Sequence, residues 1–262
     1  MATETALEES GHCQLATIDY RRPLLWLAAG WRDLLRAPVP GLLHGVGVTA
    51  FGLLLLVLAH RHFWLLAGAF SGFLLVGPIA ATGLYAVSRA LERGQRPTLD
   101  TALAAWHPKD HRLVLFGLLL AAAGTCWVLT SASLITAFSP QPIRDPVDFL
   151  HAVVLNEQSW LFEGWLLLGG VLVAPVYASS VVAIPLMMER RIGLLAAVLT
   201  SWRAVMLSPG PMALWGGLLM AITLVGMSTV LLGLVVAVPW LSYASWHAYR
   251  DLVPRTDLQQ VD

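Results

Sequence analysis

The chain has little charge and almost no cysteine. Of its 262 residues only 12% are charged, against 57% apolar, and the mean hydropathy is +0.70. That balance excludes an ordinary soluble domain. Cys13 stands in a polar amino-terminal stretch and Cys126 inside an apolar run. Without a C-x-x-C or Cys/His spacing, neither a disulfide framework nor a zinc site is expected, and both read as unpaired thiols. The net charge of zero argues against a nucleic-acid partner. No H-E-x-x-H, P-loop, G-x-S-x-G or Ser/His/Asp arrangement is present, so no catalytic residue and no cofactor are assigned, and the reading leans away from an enzyme. The apolar spans carry no Asp, Glu, Lys or Arg at mid-length, which counts against an ion-driven pump. Met1 to Arg22 has four acidic residues and no apolar core, so no cleavable signal is expected there.

What is present is a series of long apolar runs. About 20 residues rising ~1.5 Å each cross a hydrocarbon core. By that measure the spans are expected at about 41–60, 64–88, 113–136, 160–188, 211–229 and 232–249. The last two come from one block, Pro211 to Tyr249, too long for a single crossing and expected to turn within Gly226 to Gly233. The segments between spans alternate in basic residues. Those expected inside hold four, five, three and two Lys or Arg, and those expected outside hold one, one and none. This asymmetry places both termini in the cytoplasm. The expected fold is thus all-α, a six-helix membrane domain over 19–252 with a flexible tail at 1–18 and a short one at 253–262. Within the outer segment 137–158, Val147 to Leu155 is expected as a short surface helix.

One pattern recurs three times. Leu24, Leu27, Ala28 and Trp31 fall at i, i+3, i+4 and i+7; Leu99, Ala102, Leu103 and Trp106 repeat the spacing, as do Leu195, Val198, Leu199 and Trp202. Each reads as an amphipathic helix lying in the inner interface before an outward span. In the first, Arg22, Asp33 and Arg36 lie off the apolar stripe. The inward spans match too: Pro78 precedes Arg89 and Pro239 precedes Arg250 by eleven residues, while Pro78 precedes Glu92 and Pro175 precedes Glu189 by fourteen. Three interfacial-helix-plus-hairpin units in parallel arrangement are expected.

Each proline leaves a helical carbonyl one turn earlier without its partner, namely Leu74, Val171 and Val235. Ser71, Ser179, Ser180 and Ser242 stand near enough to serve them. Two readings follow: a small polar cavity at Pro78, Pro175 and Pro239, or three packed kinks. Arg89, Arg93, Arg96, Arg190, Arg191 and Arg250 are candidates for holding anionic lipid headgroups, or are plain topology signals. His44 and His247, near inner helix ends, are the one pair whose depth suits a haem. No metal site is assigned.

The stretches GPIAATGLYAVSRALERGQRPTLDTALAAW, SSVVAIPLMMERR with TSWRAV, and VPWLSYASWHAYRDL resemble a bacterial integral membrane family, domain of unknown function 2189. The resemblance runs from about Leu24 to Leu252. It implies a multi-pass protein of the bacterial inner membrane and brings no catalytic residues. Three functions stay open: an accessory protein that binds lipid or another membrane subunit, a small-molecule facilitator or channel, and a haem-binding redox subunit.

Overall fold

A computed structural model describes residues 2–59, 81–104, 111–139, 141–156 and 159–254. Every regular element among them is helical. In chain order these are α1 (Ala2–Gly11), α2 (Arg22–Arg36), α3 (Pro38–Ala59), α4 (Thr82–Glu92), α5 (Leu99–Ala104), α6 (His111–Phe138), α7 (Pro146–Phe149), a π-helical turn (Leu150–Val154), α8 (Leu161–Ser180), α9 (Ala183–Glu189), α10 (Leu194–Leu207), α11 (Pro209–Ser228) and α12 (Leu234–Leu252).

Four stretches among the described residues are long and apolar enough to cross a membrane: Pro38–Val57, His111–Phe138, Leu161–Glu189 and Pro209–Ser228. Their apolar side chains largely face outward, as Leu118, Leu129, Leu167 and Val225 do. Ranks of exposed Leu and Val on helices that satisfy their own backbone suit hydrocarbon and not water. The expected span at 64–88 lies mostly outside the described residues; its described end belongs to α4. The expected span at 232–249 is helix α12, but most of its side chains are buried by protein and its second half carries Ser242, Ser245, His247, Arg250 and Asp251.

Three local differences from the sequence reading have physical causes. Residues 2–11, expected as part of a tail, form a helix whose Ala6 and Ser10 are buried and whose Glu9 accepts the Gly193 N–H at 3.0 Å, at the start of α10. The span expected to be continuous over 160–188 is interrupted at Val181–Val182. Pro185 has no N–H for the Val181 carbonyl, and the Val182 N–H is taken by Ser201 Oγ at 3.0 Å. The turn of the last block falls at 229–233, inside the expected window, but is made by Val230 and Leu231 at φ 54° and 66°. Its ends approach through Gly226 and Gly233: a Cβ at Gly233 would sit 2.8 Å from the Gly226 Cα.

The chain divides into two compact units. The first comprises the described residues within Met1–Thr49, Pro78–Val114 and Ala178–Asp262. Its centre is α12, which buries Tyr243, Ala244, Trp246 and Tyr249. Helix α2 lies along it so closely that a Cβ at Gly30 would stand 2.5 Å from the Ala244 nitrogen. Trp26 packs edge-on against Trp215 at 5.4 Å, and Trp31 against Trp240 at 5.3 Å. Leu34 of α2 and Ala37 just beyond its end meet Leu84 and Val87 of α4 around Tyr243. The second unit comprises the described residues within Ala50–Gly77 and Leu115–Tyr177. There Ile135, Ile143, Val153 and Leu161 form a core. Trp165 ties it together, donating to Ser131 Oγ at 2.6 Å, meeting Phe149 edge-on and Trp127 at a tilt. The expected surface helix at 147–155 is here, as α7 and its π-helical turn.

Candidate functional site

The polar chemistry of the first unit gathers where α2, α4, α9 and α12 meet. Its innermost member is Asp33. The sequence places Asp33 off the apolar stripe of α2, yet the residue is only 4% exposed. Helix α2 has two occupied sides: Trp26, Leu27, Gly30, Asp33 and Leu34 face protein, while Leu24, Leu25, Trp31 and Leu35 face outward. A carboxylate on the protein side needs donors. Ser88 Oγ donates to Asp33 Oδ2 at 2.8 Å, and His247 Nε2 lies 2.8 Å from the same oxygen. Serine and histidine both address the aspartate and no serine–histidine bond is formed, so this is not a nucleophile–base relay. It is a polar tie between α2, α4 and α12.

One turn further on, Arg250 joins three helix ends. Its Nε lies 3.1 Å from Glu92 Oε1 and its terminal nitrogen 3.2 Å from Glu189 Oε2. Trp246 Nε1 donates to Glu92 at 3.3 Å, and the Tyr249 hydroxyl to Glu189 at 2.5 Å. Beside them Arg89 donates to the Met188 carbonyl at 3.2 Å, and Arg112 to the carbonyls of Ile192 and Met187. The carbonyl end of α9 thus faces guanidinium groups, the sign its dipole favours. Burial, and then the neighbouring Arg93, lower the Arg89 pKa, while Glu189 and Tyr249 act to raise it. Helix α4 stops at Gly94, whose φ of +71° suits glycine. The Gly94 N–H bonds the Leu91 carbonyl and the Gln95 N–H the Ala90 carbonyl, a closing pattern that fixes where Arg93 leaves the helix.

The sequence-derived candidates divide as follows. Pro175 and Pro239 lie inside α8 and α12 as read, whereas Pro78 and Ser71 lie outside the described residues. The serines go to other work: Ser242 donates to the Val238 carbonyl at 2.8 Å, and Ser179 accepts from Trp202 Nε1 at 2.9 Å. The freed carbonyl of Val235 faces Gly45 of α3, so closely that a Cβ there would be 2.1 Å from the oxygen. The space beside that carbonyl is thus filled by α3. Of the arginines, Arg250 is held by two carboxylates and Arg89 by a carbonyl, while Arg93, Arg96 and Arg191 are exposed and Arg190 half-buried. His44 is on α3, half-buried; the Nε2 of His247 is engaged by Asp33. Sequence reasoning missed Asp33, Ser88, Glu92 and Glu189 as one assembly. The only sequence signal was the matched spacing of Glu92 and Glu189 after their prolines, which read as repeat and not as contact.

Residues 65–189 match the family model described as predicted integral membrane protein, domain of unknown function 2189. No curated protein and no solved structure matches the chain.

Proposed function

We propose that this integral membrane protein is a non-catalytic accessory component of the bacterial inner membrane. In this reading six helices cross the bilayer as three hairpins, both termini are cytoplasmic, and the polar assembly around Arg250 lies at the inner surface. The amphipathic helices seat in the inner headgroup layer, and the surface they offer binds anionic lipid or another membrane subunit.

The observation that carries this reading is the exposed leading leucine that the three amphipathic copies share. Leu24, Leu99 and Leu195 hold the same place in them and are 58%, 39% and 46% exposed. Three residues on, Leu27 and Ala102 are 8% and 7% exposed and Val198 is half-buried. A helix at the interface needs this arrangement, with one apolar edge given to lipid and the next to protein. Arg21, Arg32 and Arg36 flank the exposed edge of α2, and Trp31 lies on it, a residue pair suited to the headgroup level. The packing of Val235 against Gly45, with Tyr243 fully buried beside Gly41, favours this reading over a facilitator with its path at Pro239. The contact between His247 and Asp33 gives the imidazole a structural task and weakens the haem alternative.

The test is tryptophan quenching by bromine-bearing lipid chains in reconstituted vesicles. Quenching of the wild type should drop on Trp31→Phe and stay unchanged on Trp26→Phe, since Trp26 is enclosed by protein. Equal effects from both substitutions, or none from Trp31→Phe, would remove the interfacial placement of α2.

A further inference from the structure

We propose that the junction of α4, α9 and α12 is a binding site for a phosphate group, taken between Arg93 and Arg190 above the ion-paired base formed by Arg89, Arg250, Glu92 and Glu189. The proposal rests on the lipid-binding reading above and gives it a place and a chemistry.

The assembly holds four arginines and two glutamates. Arg250 lies between Glu92 and Glu189 at 3.1 and 3.2 Å, so one guanidinium shares both carboxylates. Arg89 gives one nitrogen to the Met188 carbonyl and stands within electrostatic reach of Glu189. Arg93 is a turn further along α4 and close enough to Arg89 for the two charges to oppose each other. Arg190 stands within electrostatic reach of the Tyr249–Glu189 pair that Arg250 also contacts. Among the described residues, Arg93 and Arg190 have no carboxylate at ion-pair distance. The junction therefore carries an excess of two positive charges, both on side chains that reach outward from fixed points. Arg93 leaves at the helix end closed by Gly94, and Arg190 follows α9 on extended backbone at φ −127° and ψ 152°.

A planar guanidinium fork matches phosphate oxygens two at a time, and two forks can hold one phosphate from both sides. A carboxylate ligand would use one fork and leave the second unpaired. The phosphate could belong to an anionic headgroup of the inner leaflet or be free in solution; the chemistry is the same.

The experiment uses the full chain in neutral mixed micelles. Phosphatidylglycerol is titrated in, with phosphatidylcholine as the uncharged comparison, and bound lipid is read by native mass spectrometry. Inorganic phosphate is then added as competitor. Wild type should retain phosphatidylglycerol over phosphatidylcholine, or bind inorganic phosphate directly. Arg93→Gln with Arg190→Gln should weaken that binding by roughly thirty-fold, the combined worth of two surface cations against an anionic headgroup. Arg144→Gln, at an exposed position in the segment 141–156 and outside both the junction and the amphipathic helices, should leave this retention within about three-fold. Displacement of lipid by inorganic phosphate identifies free phosphate as the source, and resistance to it identifies the lipid. Arg93→Gln alone, at an exposed position, covers the case in which the double variant does not fold. If wild type prefers phosphatidylglycerol but the double variant and Arg93→Gln both retain it fully, the site is wrong while the lipid-binding reading stands. If wild type shows neither preference nor phosphate binding, the lipid-binding reading itself fails.

Discussion

Replacing Asp33 by alanine should destabilise the first unit more than any other single exchange of a polar side chain there. Two groups address its Oδ2 at 2.8 Å, the Ser88 hydroxyl and the His247 imidazole. A hydrogen bond to a charged group is worth about 1.5–3 kcal/mol, and a buried group left without its partner costs about 1–3 kcal/mol. Ser88 is enclosed, so its loss is felt in full. The His247 side chain is 30% exposed, so water recovers part of that contact. The expected loss for Asp33→Ala is about 3 kcal/mol. Asp33→Asn keeps an acceptor in place and should lose about 1 kcal/mol. The assay is thermal unfolding in detergent, followed by helical circular dichroism and tryptophan emission together. A cycle with Ser88→Ala should show strong coupling, since the second substitution removes the donor that the first leaves stranded. If Asp33→Ala unfolds within about 0.5 kcal/mol of wild type, Asp33 is not buried between α2, α4 and α12 and the polar tie does not exist.

Three further substitutions test separate contacts by the same assay. Gly45→Ala drives a methyl group into the Val235 carbonyl and should cost about 1–3 kcal/mol, whereas Gly47→Ala, two residues along α3 with open space beside it, should be neutral. Gly94→Ala keeps its space but must hold φ at +71°, and should cost about 1 kcal/mol. Val230→Gly should act in the opposite direction: it relieves a left-handed β-branched residue at an exposed turn and should raise stability by about 0.5–1 kcal/mol.

Much of the fold is legible in the sequence because lipid-facing helices declare themselves by length and composition. Pro38–Val57, His111–Phe138, Leu161–Glu189 and Pro209–Ser228 correspond to four of the expected spans. The amphipathic segments are legible from their spacing alone, and α2 and α10 carry two of them. The candidate site is a different matter. Asp33 meets Ser88 across 55 residues and His247 across 214, and neither separation leaves a mark on local periodicity. The position of Asp33 beside the apolar stripe suggests solvent, because a helix read as lying in the interface has one apolar face and a polar remainder. The helix instead packs one side against protein and turns the other outward, so a polar residue next to the stripe is buried. Helix α1 shows the same limit: its few apolar residues do not announce a packed element, and contacts such as Glu9 to Gly193 and Ser10 to Thr200 come from far along the chain. The turn at Val230 and Leu231 falls in the window that the length of the block implies, but its left-handed backbone is not legible, since the residues there are not the glycines such a turn prefers.

The central claim is that the junction around Arg250 and the end of α4 face the cytoplasm while the segment at 137–158 faces outward. The direct measurement is labelling of single cysteines by a membrane-impermeant maleimide, with Cys13 and Cys126 first changed to serine and one cysteine placed by Gln95→Cys or Gln141→Cys, both at exposed positions. On intact spheroplasts Gln141→Cys should label at once, and Gln95→Cys only after the membrane is opened. Labelling of Gln95→Cys from the outside, or equal labelling of both before permeabilisation, would contradict the topology and the placement of the arginine junction that depends on it.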